Sequence, residues 1–137
     1  MGTIARSILA IGAVSLLVGL SAACAPVERE VAIGYRTDSV TVPVGETLVV
    51  EFGTINTSVG DQWEITERPD PKVLALDERK PTHSSTKKPV GAPHEFAYRF
   101  VAREKGTTTV GFEYRFRGEI PEDPARRDSS KITITVK

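Results

Sequence analysis

Three observations predict an all-β protein. Short runs alternate polar and apolar residues, turn signals separate the runs, and the runs are rich in Thr and Val. Nowhere do apolar residues recur at i, i+3, i+4 and i+7 over successive helical turns. The arrangement expected is an immunoglobulin-like antiparallel β-sandwich of about seven strands.

Each strand has its own signature. Ser39-Val40-Thr41-Val42 alternates, and Pro43-Val44-Gly45-Glu46 then supplies a turn. Thr47 to Phe52 follows, with Leu48, Val50 and Phe52 on one face. Gln62 to Thr66 alternates around Trp63 and Ile65, and Lys72 to Leu76 is a short apolar run after a proline pair. Glu95 to Ala102 places Phe96, Tyr98 and Phe100 opposite Arg99, and Thr107 to Arg117 does the same with Val110, Phe112, Tyr114 and Phe116. Lys131 to Val136 closes the set. Val31 to Arg36 is a candidate first edge strand. No internal repeat is visible.

The first residues differ in kind. From Ser7 to Pro26 there is no charge, and Arg6 is the only cation before an apolar core of about 13 residues, Ile8 to Leu20. That core is shorter than the roughly 20 residues of a membrane span. Leu20-Ser21-Ala22-Ala23-Cys24 resembles a bacterial lipobox, with Ser21 at the place usually held by Leu. Cleavage after Ala25 is the competing reading, but it would leave Pro26 just past the scissile bond, where the missing N–H makes a poor protease substrate. The expectation is therefore a signal peptide over 1–23, a lipid on Cys24, a tether with the candidate edge strand over 24–37, and the sandwich over 38–137. Such a protein is exported and held at the outer face of the cytoplasmic membrane, with secretion as the alternative.

Composition excludes several function classes. The 137 residues carry 18 Lys+Arg and 18 Asp+Glu, so the basic excess of a nucleic-acid binder is missing. One Cys rules out an intramolecular disulfide, and with only two His it argues against a structural zinc site. There is no Gly-x-Ser-x-Gly elbow, no His-Glu-x-x-His and no glycine-rich phosphate loop opening a helix. His83 and His94 read as solvated loop histidines, and Lys80, Lys87 and Lys88 as a solvated loop. No catalysis, no cofactor and a monomer are expected.

Three connections are too long for tight hairpins: Asn56 to Asp61, Arg79 to His94 and Gly118 to Ser130. Counted from Ser39, they follow the second, fourth and sixth strands. In an antiparallel sandwich all three then emerge at one end and share a rim.

The order of features at these loops resembles the chagasin-like family of cysteine-peptidase inhibitors. That family has Val-Gly-Glu-x-Leu before a strand, then Asn-Pro-Thr-Thr-Gly-(Tyr/Phe)-x-Trp. This chain has Val44-Gly45-Glu46-Thr47-Leu48, then Asn56-Thr57-Ser58-Val59-Gly60-Asp61-Gln62-Trp63. The family continues with Val-Gly-x-x-Gly, Phe-x-Phe-x-Ala, Gly-Thr-Thr and an aromatic strand ending in Arg-Pro-Trp. Here stand Val90-Gly91-Ala92-Pro93, Phe100-Val101-Ala102, Gly106-Thr107-Thr108-Thr109 and Phe112-Glu113-Tyr114-Arg115.

The resemblance implies an inhibitor whose loops wedge into the cleft of papain-like cysteine peptidases. Its tips would be Asn56, Thr57, Ser58, Val59 and Gly60; Gly91, Ala92, Pro93 and His94; and Arg115, Phe116 and Arg117. Trp63 is expected to pack behind the first loop. Departures fall at the tips: Thr57 stands for proline, Val59 for a threonine, Asp61 for an aromatic, His94 for a glycine, and Phe116-Arg117 for Pro-Trp. A non-inhibitory immunoglobulin-like binding or structural module of the cell envelope is the alternative these departures leave open.

Overall fold

The computed structural model describes residues 28–78, 89 and 91–137. Cys24, Lys80, His83, Lys87 and Lys88 lie outside the described residues. Eight strands form in chain order: β1 (Glu30–Gly34), β2 (Ser39–Val42), β3 (Thr47–Ile55), β4 (Asp61–Glu67), β5 (Leu74–Leu76), β6 (His94–Ala102), β7 (Gly106–Phe116) and β8 (Ser129–Val136). One sheet has the order β1-β3-β6-β5 and the other β2-β8-β7-β4. The sandwich expected from the sequence is present, and the edge strand near Val31 is one of its members.

The outer pairings refine the antiparallel expectation. β1 runs parallel to β3, and β2 runs parallel to β8. The N-terminal segment lies first along one sheet and then along the other, so each half meets a strand of its own direction. Pro43 to Glu46 is accordingly a corner between sheets. Glu46 N–H donates to the Pro43 carbonyl across the turn (3.2 Å), with Gly45 at φ 89°. Val44 N–H donates to Lys137 (2.9 Å) and Gly45 N–H to Ala102 (2.8 Å), which ties the corner to both sheets. β5 is shorter than the run from Lys72 because Asp70 takes those residues into a turn. Its carboxylate accepts from Lys72 N–H (2.9 Å) and its carbonyl from Val73 N–H (3.0 Å).

The inward faces are those the alternation marks. Leu48, Val50, Phe52, Phe96 and Phe100 of one sheet meet Trp63, Val110, Phe112, Ile132, Ile134 and Val136 of the other, all buried. Aromatic side chains gather where β3 and β7 approach the long connections. The Phe52 ring centroid lies 4.8 Å from Trp63, 4.9 Å from Phe112, 5.5 Å from Tyr35 and 5.7 Å from Phe96. Large flat side chains with few rotatable bonds make a stiff platform under that end. Among the described residues no helix is long and apolar enough to cross a membrane. The one helical piece described is a 3-10 turn at Pro124–Arg126.

Candidate functional site

The β3–β4 connection is built on Asn56. Its carbonyl accepts from Val59 N–H and Asp61 N–H (both 3.2 Å), and its side-chain oxygen accepts from Ser58 N–H (3.1 Å). The Asp61 carboxylate returns the interaction by accepting from Asn56 N–H (3.1 Å). The same carboxylate accepts from the Tyr114 hydroxyl at 2.5 Å. Burial, with Asp61 beside the hydroxyl, raises the Tyr114 pKa above the ordinary phenol value, and Arg126 partly offsets this. Asp61 therefore anchors the loop to β7. In the sequence Asp61 stands out only as a departure from the family's aromatic; the signal for its anchoring role is an Asx residue at each end of a Gly-containing turn.

Hydrogen bonds join this loop to its neighbours, the longest of them from Arg117 Nε to the Val59 carbonyl (3.5 Å). Asn56 Nδ2 donates to the Gly91 carbonyl (3.2 Å), and Arg117 N–H donates to the Gly60 carbonyl (2.8 Å). Gly60 has φ 110°, and a Cβ built there would lie 2.5 Å from Arg117 Cγ and 3.0 Å from Arg117 N. Only glycine permits both the conformation and the approach. Where the second and third connections are described, at Gly91 and around Arg117, they thus meet the first at one rim, as the strand count implies.

Several expected tip residues occupy other positions. His94 is the first residue of β6, half-buried rather than a solvated loop histidine. β3 continues to Ile55, and Ile55 pairs with His94, so the ladder extends one residue past Glu95. Arg115 and Phe116 belong to β7, paired with Gln62 and Asp61 of β4. Arg115 is engaged with Glu113 (2.8 Å) and Glu64 (3.6 Å). The Phe116 ring has the Arg126 guanidinium carbon 4.8 Å and the Arg117 guanidinium carbon 5.3 Å from its centroid. Of that group only Arg117 stands in the turn. Phe116-Arg117-Gly118-Glu119 is a two-residue hairpin of the I′ kind, with φ 53° at Arg117 and 83° at Gly118.

Around that turn, Thr57, Ser58, Val59, Gly91 and Pro93 are exposed, and Ala92 is partly covered. Trp63 is 4% exposed, and its carbonyl accepts from the Tyr98 hydroxyl (2.6 Å), so its role is packing. Beside the rim lies a cleft of about 380 Å³, bordered by Thr57, Gly60 and Arg117 and floored by Trp63, Phe96 and Tyr98. Among the described residues no group of three or more His, Cys, Asp or Glu could hold a metal ion.

A stiff two-sheet scaffold that presents one rim of hydrogen-bonded loops is a framework suited to binding through loops. Residues 41–136 match the sequence profile of the chagasin family of peptidase inhibitors, family I42, and the chain belongs to that family. It is a member of an inhibitor family and not an enzyme. No curated protein matches the chain. Among solved structures, the cysteine protease inhibitor EhICP2 from Entamoeba histolytica is similar, with a TM-score of 0.57 and 15% identity over 80% of this chain and 96% of that one. PbICP-C, solved in complex with falcipain-2, gives a TM-score of 0.50 and 13% identity over 80% of this chain and 99% of that one. At such identities the likeness is one of fold.

Proposed function

We propose that the protein inhibits papain-like cysteine peptidases by inserting the rim formed by Asn56–Gly60, Gly91–Pro93 and Arg117–Gly118 into the active-site cleft. The observation that carries this reading is the bonding of three separate connections into one edge through Asn56 to Gly91 and Gly60 to Arg117. A rim held in advance loses little freedom on binding, so its shape complementarity is retained as affinity. Val59, 49% exposed at the first tip, offers an apolar contact where the family has a hydroxyl. Titrating the protein against papain, with turnover of a small peptide substrate as readout, tests the reading. Inhibition at nanomolar to micromolar concentration is expected. Papain unaffected by micromolar protein would refute it and favour a non-inhibitory envelope module.

The site of action is part of the same reading. The uncharged run, the lipobox-like Leu20 to Cys24 and the single cysteine support a lipid anchor on Cys24 that holds the inhibitor outside the cytoplasmic membrane. Metabolic labelling with a fatty acid should mark the protein and fail to mark the Cys24→Ser variant. Equal labelling of both would refute the anchor.

A further inference from the structure

The segment between β1 and β2 crosses from one sheet to the other below the rim. Thr37 N–H donates to the Gly34 carbonyl (3.1 Å) to make the turn, and the Asp38 carbonyl accepts from Thr133 N–H of β8 (2.9 Å). Tyr35 and Arg36 lie ahead of the family-matched stretch, residues 41–136, and belong to none of its loop motifs. Tyr35 is fixed to both sheets. Its N–H donates to the Glu51 carbonyl of β3 (3.0 Å), and its carbonyl accepts from the Ser130 hydroxyl of β8. Its half-buried ring leans on the aromatic platform, with centroids 4.8 Å from Trp63 and 5.5 Å from Phe52.

The Tyr35 hydroxyl reaches out of this seat to donate to Asp128 Oδ2 (2.9 Å). Arg36 reinforces the contact, its Nε donating to the Tyr35 hydroxyl oxygen (2.9 Å) and its Nη2 to the same carboxylate oxygen (3.3 Å). That ion pair is exposed on the arginine side and adds little alone. From Asp128 the bonds continue to the rim without a gap. The Asp128 carbonyl accepts from Tyr114 N–H (2.9 Å), and the Tyr114 hydroxyl donates to Asp61 Oδ1 (2.5 Å). Asp61 Oδ2 accepts from Asn56 N–H (3.1 Å), and Asn56 Nδ2 donates to the Gly91 carbonyl (3.2 Å). Trp63 packs against both tyrosines, 4.8 Å from Tyr35 and 5.9 Å from Tyr114 by ring centroids, which gives the chain of bonds a rigid backing.

Resting on the inhibitory reading above, we propose that Tyr35 is a positioning residue for inhibition, whose hydroxyl, through Asp128, Tyr114 and Asp61, holds the first loop of the rim in its binding shape. Tyr35 acts through these neighbours and not by contact with the peptidase. The Asn56–Gly60 tip has exposed residues and no core of its own, so its order has to come from the groups beneath it. A loop released from such a brace must be ordered on binding, and that cost appears as lost affinity.

The test uses protein purified from cells expressing the full-length chain, with papain as probe. Tyr35→Phe keeps the ring and removes the hydroxyl. It should weaken inhibition about three- to tenfold, the range of one hydrogen bond's net contribution, mainly through faster dissociation. Asp128→Asn, which keeps an acceptor for the hydroxyl, should stay near the parent. Asp128→Ala should match Tyr35→Phe, and the double variant Tyr35→Phe/Asp128→Ala should be no weaker than either single. Val136→Ala, in the core beside the Pro43–Glu46 corner at the end away from the rim, is the stability control. It should lower the melting temperature and leave inhibition unchanged at temperatures well below melting.

Hydrogen exchange gives a readout that needs no peptidase. The Asn56 and Asp61 amides, both bonded within the first loop, should exchange about three- to tenfold faster in Tyr35→Phe than in the parent. Unchanged inhibition by Tyr35→Phe while the parent inhibits overturns the proposal, and so does an additive loss in the double variant. Inhibition by Val136→Ala that falls in step with its stability overturns it as well, since Tyr35 would then act only through the fold. A parent that does not inhibit papain refutes the inhibitory reading, whereas unchanged exchange at Asn56 and Asp61 refutes the brace itself.

Discussion

Substituting Gly60 by alanine tests the construction of the rim at its tightest point. The new Cβ would meet Arg117 Cγ at 2.5 Å, Arg117 N at 3.0 Å and Arg117 Cα at 3.3 Å, on a residue held at φ 110°. The Arg117 side chain can swing away, giving up its long contact with the Val59 carbonyl (3.5 Å). The Arg117 backbone cannot do so without stretching the 2.8 Å bond from its N–H to Gly60 O. A left-handed non-glycine residue costs about 1–2 kcal/mol, and loss of the inter-loop bond adds about 1 kcal/mol. The sum, about 2–3 kcal/mol, should lower the melting temperature by roughly 8–20 °C for a domain of this size.

The control is Gly34→Ala. Gly34 has no positive φ and open space where a Cβ would go, so it should stay within about 0.5 kcal/mol of the parent. Thermal melts followed by circular dichroism measure the difference, and titration of papain shows whether the rim fails with it. At least a tenfold weaker inhibition by Gly60→Ala is expected. A Gly60→Ala protein as stable as Gly34→Ala would refute the argument, because the rim would then tolerate separation of its first and third loops.

Two further outcomes follow from the packing. Trp63→Ala should cost about 3–5 kcal/mol in denaturant unfolding, since it empties the space between Tyr35, Phe52 and Tyr114, whereas Trp63→Phe should cost clearly less; equal effects would contradict a packing role. Tyr98 and Tyr114 both have raised pKa values, Tyr98 through burial and then the charge of Glu64, Tyr114 through burial and then Asp61. Their protonated forms therefore contribute stability that is fully present below about pH 10 and lost as pH rises through the folded values. Melting temperature should fall with increasing steepness above about pH 10, and the Tyr98→Phe/Tyr114→Phe double variant should flatten that fall. Parallel profiles for parent and variant would show that neither hydroxyl is the source.

What the sequence made legible was the part governed by period. Alternation marked Leu48, Val50 and Phe52, and equally Phe96, Tyr98 and Phe100, as inward faces, and counting strands brought three connections to one end. Pairing direction was not legible at the edges, because a strand's side chains alternate identically beside a parallel or an antiparallel neighbour. Hence the parallel seats of β1 and β2 emerged only from the structure. The third tip was displaced for a related reason. Composition shows Phe116-Arg117-Gly118 as one apolar-basic run, but whether the turn begins before or after Phe116 depends on how far β4 pairs with β7. Pairing to Asp61 puts Arg115 and Phe116 in the ladder and leaves Arg117 and Gly118 to take the left-handed positions.

The departures from the family's loop motif are easier to understand as a set than singly. A proline at position 57 would stiffen the first loop through its fixed φ, and Thr57 does not. Stiffness comes here from the Asn56 side chain bonding Ser58 N–H, from the Asp61 carboxylate bonding Asn56 N–H, and from Tyr114 holding that carboxylate from the neighbouring strand. Asp61 occupies the place of the family's aromatic, so two departures, Thr57 and Asp61, compensate each other within one turn. The third loop shows a comparable exchange. In place of Pro-Trp it has Phe116 covered by Arg126 and an I′ turn that presents Arg117. In the first and third loops, rigidity that one residue would carry comes instead from contacts between side chains. A rim built in this way keeps its shape only while the sandwich beneath it is folded, so its binding and its stability should fail together under denaturant.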